Sequence, residues 1–207
     1  DKVYESIVAA TKRSFELIVI SPYPLTPYLQ SLANVKLIRD FGSPIRAAQI
    51  GTRIAEGKYL YIIHADDSFF IPDSLDNNLR TLEEMGDNVK NVVVAKYSES
   101  QNFEHKERYQ PDDYYKMVNA YPVNKNHVPS DWWIWNIVIL RREYFEYLGG
   151  YDSVTYESCP MSQCDLGIRG YKDGAIVKMS EFPSTQGDHL PGDTGDHFAI
   201  YESQTFF

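Results

Sequence analysis

The sequence predicts an α/β protein in which a mostly parallel sheet carries helices on both faces. Apolar strand-like runs alternate with segments of helical periodicity over the first half of the chain, and this alternation is typical of a parallel sheet wound by helices. Leu60, Ile62 and Ile63 fall in one short apolar run, and residues 91–95 read Asn-Val-Val-Val-Ala. Runs of this kind are typical of strands that are buried on both faces.

Each element is predicted from its periodicity and from the residues at its ends. Ser43-Pro44 is a strong helix start, because a capping hydroxyl precedes a proline at the first helical position. Gly86 closes the next helix. Periodicity fails from about 97 to 130, and loops of this length in compact domains are usually functional. The predicted helices are 2–12, 43–56, 74–85, 141–148 and 165–171, and the predicted strands are 16–20, 35–38, 60–63, 91–95, 132–140 and 175–179.

Length, charge and cysteine content limit the classes of protein that fit. A chain of 207 residues predicts one domain, 1–207. The net charge of −9 and the lack of a Lys or Arg block argue against a nucleic-acid partner. No apolar run is long enough for a membrane span and no signal peptide is recognisable, which predicts a soluble, cytoplasmic chain. Cys159 and Cys164 match neither a zinc site nor a disulfide framework, so both are expected to be reduced.

An apolar strand runs directly into two adjacent carboxylates, Asp66 and Asp67. Ligands of open α/β sheets collect at the carboxyl ends of strands, so both side chains are expected at a binding edge. Hard oxygen ligands suit Mg²⁺ or Mn²⁺, which take further ligands from waters and substrate phosphates. The alternative is that the pair caps the next turn, since aspartate favours N-caps and turns.

Three blocks of sequence carry a family resemblance, and they occur in the family's order. The first contains ELIVI (16–20), VKLI (35–38), IAEGKY (54–59) and ADD (65–67); the second contains LGGYD (148–152); the third is CDLGIR (164–169). Together they resemble the nucleotide-sugar glycosyltransferases of the GT-A fold, most like the large family 2. The resemblance implies a GT-A fold, a hexose-type sugar donor linked to UDP, a carbohydrate acceptor and Mn²⁺ or Mg²⁺. It also allows this chain to be part of a larger multidomain protein.

The chain departs from the family pattern in its first half. The family's first strand has no counterpart, so either a strand lies outside this sequence or the nucleobase pocket is built differently. The second strand ends in Ser21-Pro22-Tyr23-Pro24 where the family has acidic residues, and His64 replaces the first Asp of the family's metal motif.

Each candidate site residue has an expected role, drawn either from the resemblance or from the chemistry and placement of the residue itself. Residues 1–96 are the expected nucleotide-sugar and metal-binding half, and 97–207 the expected acceptor and catalytic half. The candidates are His64, Asp66, Arg46 and Tyr23 for the nucleotide; Asp66, Asp67 and His189 for the metal; Asp131, Trp132 and Trp133 for the acceptor; and Asp165 or Gln163 for catalysis.

Several of these roles have alternatives. The catalytic Asp of the family aligns with Asp165 or, in a shifted register, with Gln163, and only a carboxylate can act as a general base. Asp165 could also orient a substrate or cap its helix. Arg46 could form a surface ion pair, His189 could be a loop residue, and the tryptophans could be core residues.

Two other functions compete with glycosyl transfer. A sugar-1-phosphate nucleotidyltransferase needs a glycine-rich phosphate loop after its first strand, and the sequence has none. A catalytically inactive module that binds a nucleotide sugar or a carbohydrate is the other alternative.

Overall fold

The structure is a computed structural model that describes residues 1–62, 68–99, 135, 137–156 and 159–187. Its helices are α1 (Lys2–Ala10), α2 (Pro27–Gln30), α3 (Pro44–Ile54), α4 (Ser74–Glu84), α5 (Arg142–Tyr147) and α6 (Cys159–Asp173). Its strands are β1 (Leu17–Ser21), β2 (Val35–Arg39), β3 (Tyr59–Ile62), β4 (Ser68–Phe70), β5 (Asn91–Glu99), β6 (Val138–Arg141) and β7 (Ile176–Gly187). None of the described helices combines the length and the apolar character that a membrane span requires.

The described strands form a parallel pair, β1–β2, and a five-stranded sheet in the order β3-β6-β5-β7-β4. Strands β5 and β7 are parallel, whereas β6 runs antiparallel to both β3 and β5, and β4 runs antiparallel to β7. The predicted α/β class is confirmed, but the sheet is only partly parallel. An apolar run indicates that a strand is buried on both faces but does not indicate its direction. For this reason the sequence predicted more parallel strand pairs than the sheet contains.

Helices cover both faces of the sheet, as the sequence predicts. On β5, Val92 and Val94 join a cluster with Ile45 of α3, while the intervening Val93 packs with Leu82 of α4 on the opposite face. Alternation along a strand sends successive side chains to opposite faces, so both faces of β5 are apolar. The main cluster also takes in α5 and α6 through Tyr144, Phe145 and Leu166.

The ends of α3 agree with the prediction from the sequence. Helix α2, strand β4 and the start of α6 do not. The Ser43 hydroxyl accepts a hydrogen bond from the Arg46 N–H at 3.3 Å, as a capping residue should. Helix α6 begins at Cys159, six residues before the predicted start at Asp165, because Pro160 fits a first helical turn although the segment lacks apolar periodicity. Helix α2 and strand β4 are too short to show a period, and both were missed.

Glu16 ties the start of β1 to β2 and to the connection between α3 and β3. Its carboxylate accepts hydrogen bonds from the N–H groups of Glu56 at 2.6 Å and Gly57 at 2.8 Å, and from Lys36 Nζ at 2.9 Å. Burial works to raise the pKa of Glu16, but these hydrogen bonds outweigh it and hold the pKa below its usual value.

Among the described strands, β1 pairs only with β2, and β3 pairs only with β6. The described chain therefore leaves one hydrogen-bonding edge of β1 and one of β3 without a partner strand.

Candidate functional site

One edge of the five-stranded sheet collects the strand ends that adjoin four of the predicted site residues in sequence, His64, Asp66, Asp67 and His189. Ile62, the last residue of β3, pairs with Val138, the first residue of β6. Ser68, the first residue of β4, pairs with Gly187, the last residue of β7, and Gly187 also pairs with Glu99 at the end of β5. The carboxyl ends of β3, β5 and β7 therefore meet the amino ends of β4 and β6 at a single edge, where open α/β sheets bind ligands.

The predicted metal and acceptor residues lie outside the described residues, as does His64. These are Asp66, Asp67 and His189 for the metal, and Asp131, Trp132 and Trp133 for the acceptor. Within the described ranges, no group of three or more His, Cys, Asp or Glu side chains could hold a metal ion. The Mn²⁺ or Mg²⁺ site remains a prediction.

The two described nucleotide-binding candidates lie at the carboxyl ends of β1 and β2. Tyr23 follows β1, is 74% exposed, and donates its N–H to the Ser21 hydroxyl at 3.1 Å. Arg46 lies in the first turn of α3 and forms an ion pair with Asp40 at 3.0 Å, just past the end of β2. The structure therefore shows the ion pair that was the alternative role of Arg46, and a role of Arg46 at the nucleotide stays a prediction.

The two catalytic candidates lie in the first half of α6, and they differ in exposure. Gln163 is buried, with 3% of its surface exposed. The Asp165 side chain is 24% exposed, and its Oδ2 accepts hydrogen bonds from Arg169 Nε at 2.8 Å and Nη2 at 2.7 Å. The sequence did not identify Arg169 as a site residue, yet it is the contact that holds the Asp165 carboxylate.

Arg169 and Gln49 together hold the turn after α5 from two sides. Arg169 donates to the carbonyl oxygens of Leu148 and Gly150. From α3, Gln49 Nε2 donates to the Gly149 carbonyl at 3.4 Å, and Gln49 Oε1 accepts from the Tyr151 N–H at 2.8 Å. Neither contact has a local sequence signal, because about a hundred residues separate Gln49 from the turn.

This turn forms one wall of a pocket of about 340 Å³, which Gln49, residues 149–154 and Arg169 line. Gly149 and Gly150 have φ angles of 89° and 72°, which glycine adopts without steric cost. The Asp152 carboxylate accepts hydrogen bonds from the N–H groups of Val154 and Thr155, so the far side of the turn is also fixed. The polar side chains of this wall, Gln49, Asp152 and Arg169, are hydrogen-bonded to backbone groups of the turn.

Cys164 does not belong to this chemistry. The thiol is free and buried, and burial together with the nearby Asp165 charge raises the pKa of Cys164 to about 11. A thiol in such surroundings is inert as a nucleophile, which agrees with a reduced, structural cysteine.

The mixed sheet, its two helical layers and the ligand edge at the carboxyl ends define a GT-A fold. Among solved structures, the chain is similar to S. aureus TarS 1–349 in complex with UDP, at 14% identity and a TM-score of 0.59, covering 96% of this chain and 59% of that chain. It is also similar to GalNAc-T7 with UDP, GalNAc and Mn²⁺, at 12% identity and a TM-score of 0.62, covering 97% of this chain and 45% of that chain. The chain thus spans about half the length of these two structures. No family model and no curated protein matches the sequence.

Proposed function

We propose that this chain is a metal-dependent glycosyltransferase that moves a hexose-type sugar from a UDP-sugar to a hydroxyl group of a carbohydrate acceptor. The fold similarity supports this proposal, since it extends over nearly the whole chain to two structures that hold UDP, one of them with GalNAc and Mn²⁺. When bound, a divalent cation neutralises the diphosphate as it leaves, and such electrostatic stabilisation is usually the largest contribution to this kind of transfer.

The observation that carries the proposal is the pairing of Ser68 with Gly187 at the ligand edge. Asp66 and Asp67 directly precede Ser68, and His189 follows Gly187 by two residues. The predicted metal ligands are thus sequence neighbours of two residues, Ser68 and Gly187, that pair with each other at the end of an antiparallel ladder. Carboxylates and a neutral imidazole are a suitable ligand set for Mn²⁺, with substrate phosphates completing it.

The remaining roles in the proposal follow the two halves of the chain. In the half 1–96, Tyr23, Arg46 and His64 would contact the nucleoside diphosphate. In the half 97–207, Asp131, Trp132 and Trp133 would bind the acceptor. Asp165 would act as the general base on the acceptor hydroxyl or, in the shifted register, Gln163 would orient that hydroxyl.

The test is metal-dependent release of UDP from a panel of UDP-sugars, measured on the wild-type chain and three variants. We expect Asp66→Asn to abolish release, Asp67→Asn to reduce it less, and Asp73→Asn to leave it unchanged. Asp73 is a matched control, because it is an Asp whose side chain is 61% exposed and pairs only loosely with Lys12. UDP with Mn²⁺ at about a hundred times the dissociation constant should stabilise the fold by about 2–3 kcal/mol.

Two results would contradict the metal assignment. One is release of UDP by Asp66→Asn at the wild-type rate. The other is an equal thermal shift with UDP in EDTA and in Mn²⁺.

The second candidate function is a catalytically inactive module that binds a nucleotide sugar or a carbohydrate. The geometry of α6 supports this candidate. Gln163 is buried and, as an amide, cannot act as a base. The Asp165 carboxylate is bound by Arg169, so it is not free to accept a proton in this conformation. The same assay separates the two functions, since a binding module would bind UDP with Mn²⁺ but release none from a UDP-sugar.

A further inference from the structure

Two large aromatic side chains are exposed just past the carboxyl ends of β1 and β2. Tyr23 is 74% and Phe41 is 79% exposed. Ser21 of β1 pairs with Arg39 of β2. Tyr23 follows Ser21 by two positions, and Phe41 follows Arg39 by two positions. Phenylalanine is among the residue types most often buried, so a Phe that is this exposed just past the carboxyl end of a parallel strand, where open α/β sheets bind ligands, requires an explanation.

The backbone around Phe41 is fixed on both sides, so its exposure does not come from a loose loop. Before it, the Asp40 N–H donates to the Ser21 carbonyl at 3.4 Å. The Asp40 carboxylate accepts from the Gly42 N–H at 3.0 Å and forms the ion pair with Arg46 at 3.0 Å. After it, a Cβ added to Gly42 would lie 2.5 Å from Arg46 Cδ, which shows how closely the turn packs on α3.

The Phe41 ring also has a cation beside it. The Arg39 guanidinium carbon lies 6.0 Å from the ring centroid, at the outer limit of a cation–π contact. With 79% of the side chain exposed, most of the ring remains open to a flat ligand.

We infer that Phe41 is the stacking platform for the nucleobase of the donor nucleotide, an inference that rests on the proposed function. An exposed ring stacks on any base, since every base has a π-face, so Phe41 supplies affinity and not base selectivity. Arg39 and the Asp40–Arg46 pair act as positioning residues, because they set where the ring stands and do not themselves have to touch the base.

The experiment is calorimetric titration of UDP, GDP and inorganic pyrophosphate into the wild-type chain and three variants, all with Mn²⁺. We expect Phe41→Ala to weaken UDP and GDP alike, by about 5- to 150-fold, which is the usual worth of one base stacked on an aromatic side chain. Pyrophosphate has no base, so its affinity should not change. Phe41→Trp should restore nucleotide binding, and Tyr147→Ala should bind as the wild type does. Tyr147 is a suitable control because it is 70% exposed and lies on α5.

The outcomes separate this inference from the proposed function. If the wild type binds UDP and Phe41→Ala binds it equally well, the platform is overturned and the proposed function stands. An equal loss of pyrophosphate and UDP affinity in Phe41→Ala also overturns the platform, since the ring would then act without the base. If the wild type binds neither UDP nor pyrophosphate, both proposals are overturned.

Discussion

Replacing Gly150 by alanine should destabilise the fold by about 2–5 kcal/mol, and the structure gives two separate reasons. The first is the backbone, since φ at Gly150 is 72° and a residue with a Cβ pays about 1–2 kcal/mol in the left-handed region. The second is space. A Cβ would lie 2.3 Å from Gln49 Oε1 and 2.9 Å from Cε1 of Phe145, which is buried.

The second cost depends on which neighbour moves. Phe145 packs in the main core and cannot shift far, so Gln49 has to leave. Gln49 would then lose its hydrogen bonds to the Tyr151 N–H and the Gly149 carbonyl, at about 0.5–1.5 kcal/mol each. The total predicts a fall in melting temperature of about 4–20 °C for a chain of this size.

Urea unfolding measures the loss, and Gly174→Ala is the matched control. Gly174 has a φ of 83°, but a Cβ there would meet nothing within 4 Å, so this variant isolates the backbone cost. The crowding cost is the difference between the two variants, and in a Gln49→Ala background the Gly150→Ala change should cost little more than Gly174→Ala does. If Gly150→Ala is no more destabilising than Gly174→Ala, the role of Gln49 in holding the turn is refuted.

Two further predictions concern paired carboxylates. Glu16→Gln should cost about 1–3 kcal/mol at pH 7, because charge-assisted hydrogen bonds to two N–H groups and Lys36 are weakened. The folded-state pKa of Glu16 lies below its unfolded value, so its contribution is present above the unfolded pKa of about 4.3 and is lost as the pH falls through the folded pKa; urea unfolding at a series of pH values should show the gap between wild type and variant closing in that range. Asp165→Asn should lower sugar transfer by about 10²- to 10⁴-fold while UDP binding is retained, as for a general base. Near-normal transfer by Asp165→Asn would show that Asp165 is not the base.

Helices and strands could be predicted where side-chain chemistry marks their ends. Ser43 before Pro44 predicts the start of α3, and the structure shows the capping hydrogen bond. The start of α6 was not predicted although Pro160 stands in its first turn, because the buried polar residues Ser162 and Gln163 follow where an apolar period would be expected. Their burial depends on packing against the rest of the fold, which local propensity does not report.

The arrangement of the sheet was predictable only in part. The run of valines at 92–94 correctly predicted a strand with apolar faces on both sides. It did not predict that β6 enters between β3 and β5 in the antiparallel direction, because the pattern of an interior strand is the same in either direction.

The site was predictable where a chemical motif stands at a strand end, and not where distant segments meet. Asp66 and Asp67 were recognised as candidates because two carboxylates follow an apolar strand. The contacts of Gln49 with the turn after α5, and of Arg169 with the same turn, join segments that are far apart in sequence. No periodicity or spacing rule contains that information.

Helix α3 holds two separate turns of the described chain. Arg46 holds the turn that carries Phe41, and Gln49 holds the glycine turn that lines the pocket. Residues three apart on a helix are neighbours on its surface and are separated by about 4.5 Å along the axis. The two turns are therefore both fixed to the first half of α3, by side chains that lie three residues apart. Helix α3 thus sets the distance between these turns, and the Arg46 side chain that holds the first of them is itself 58% exposed.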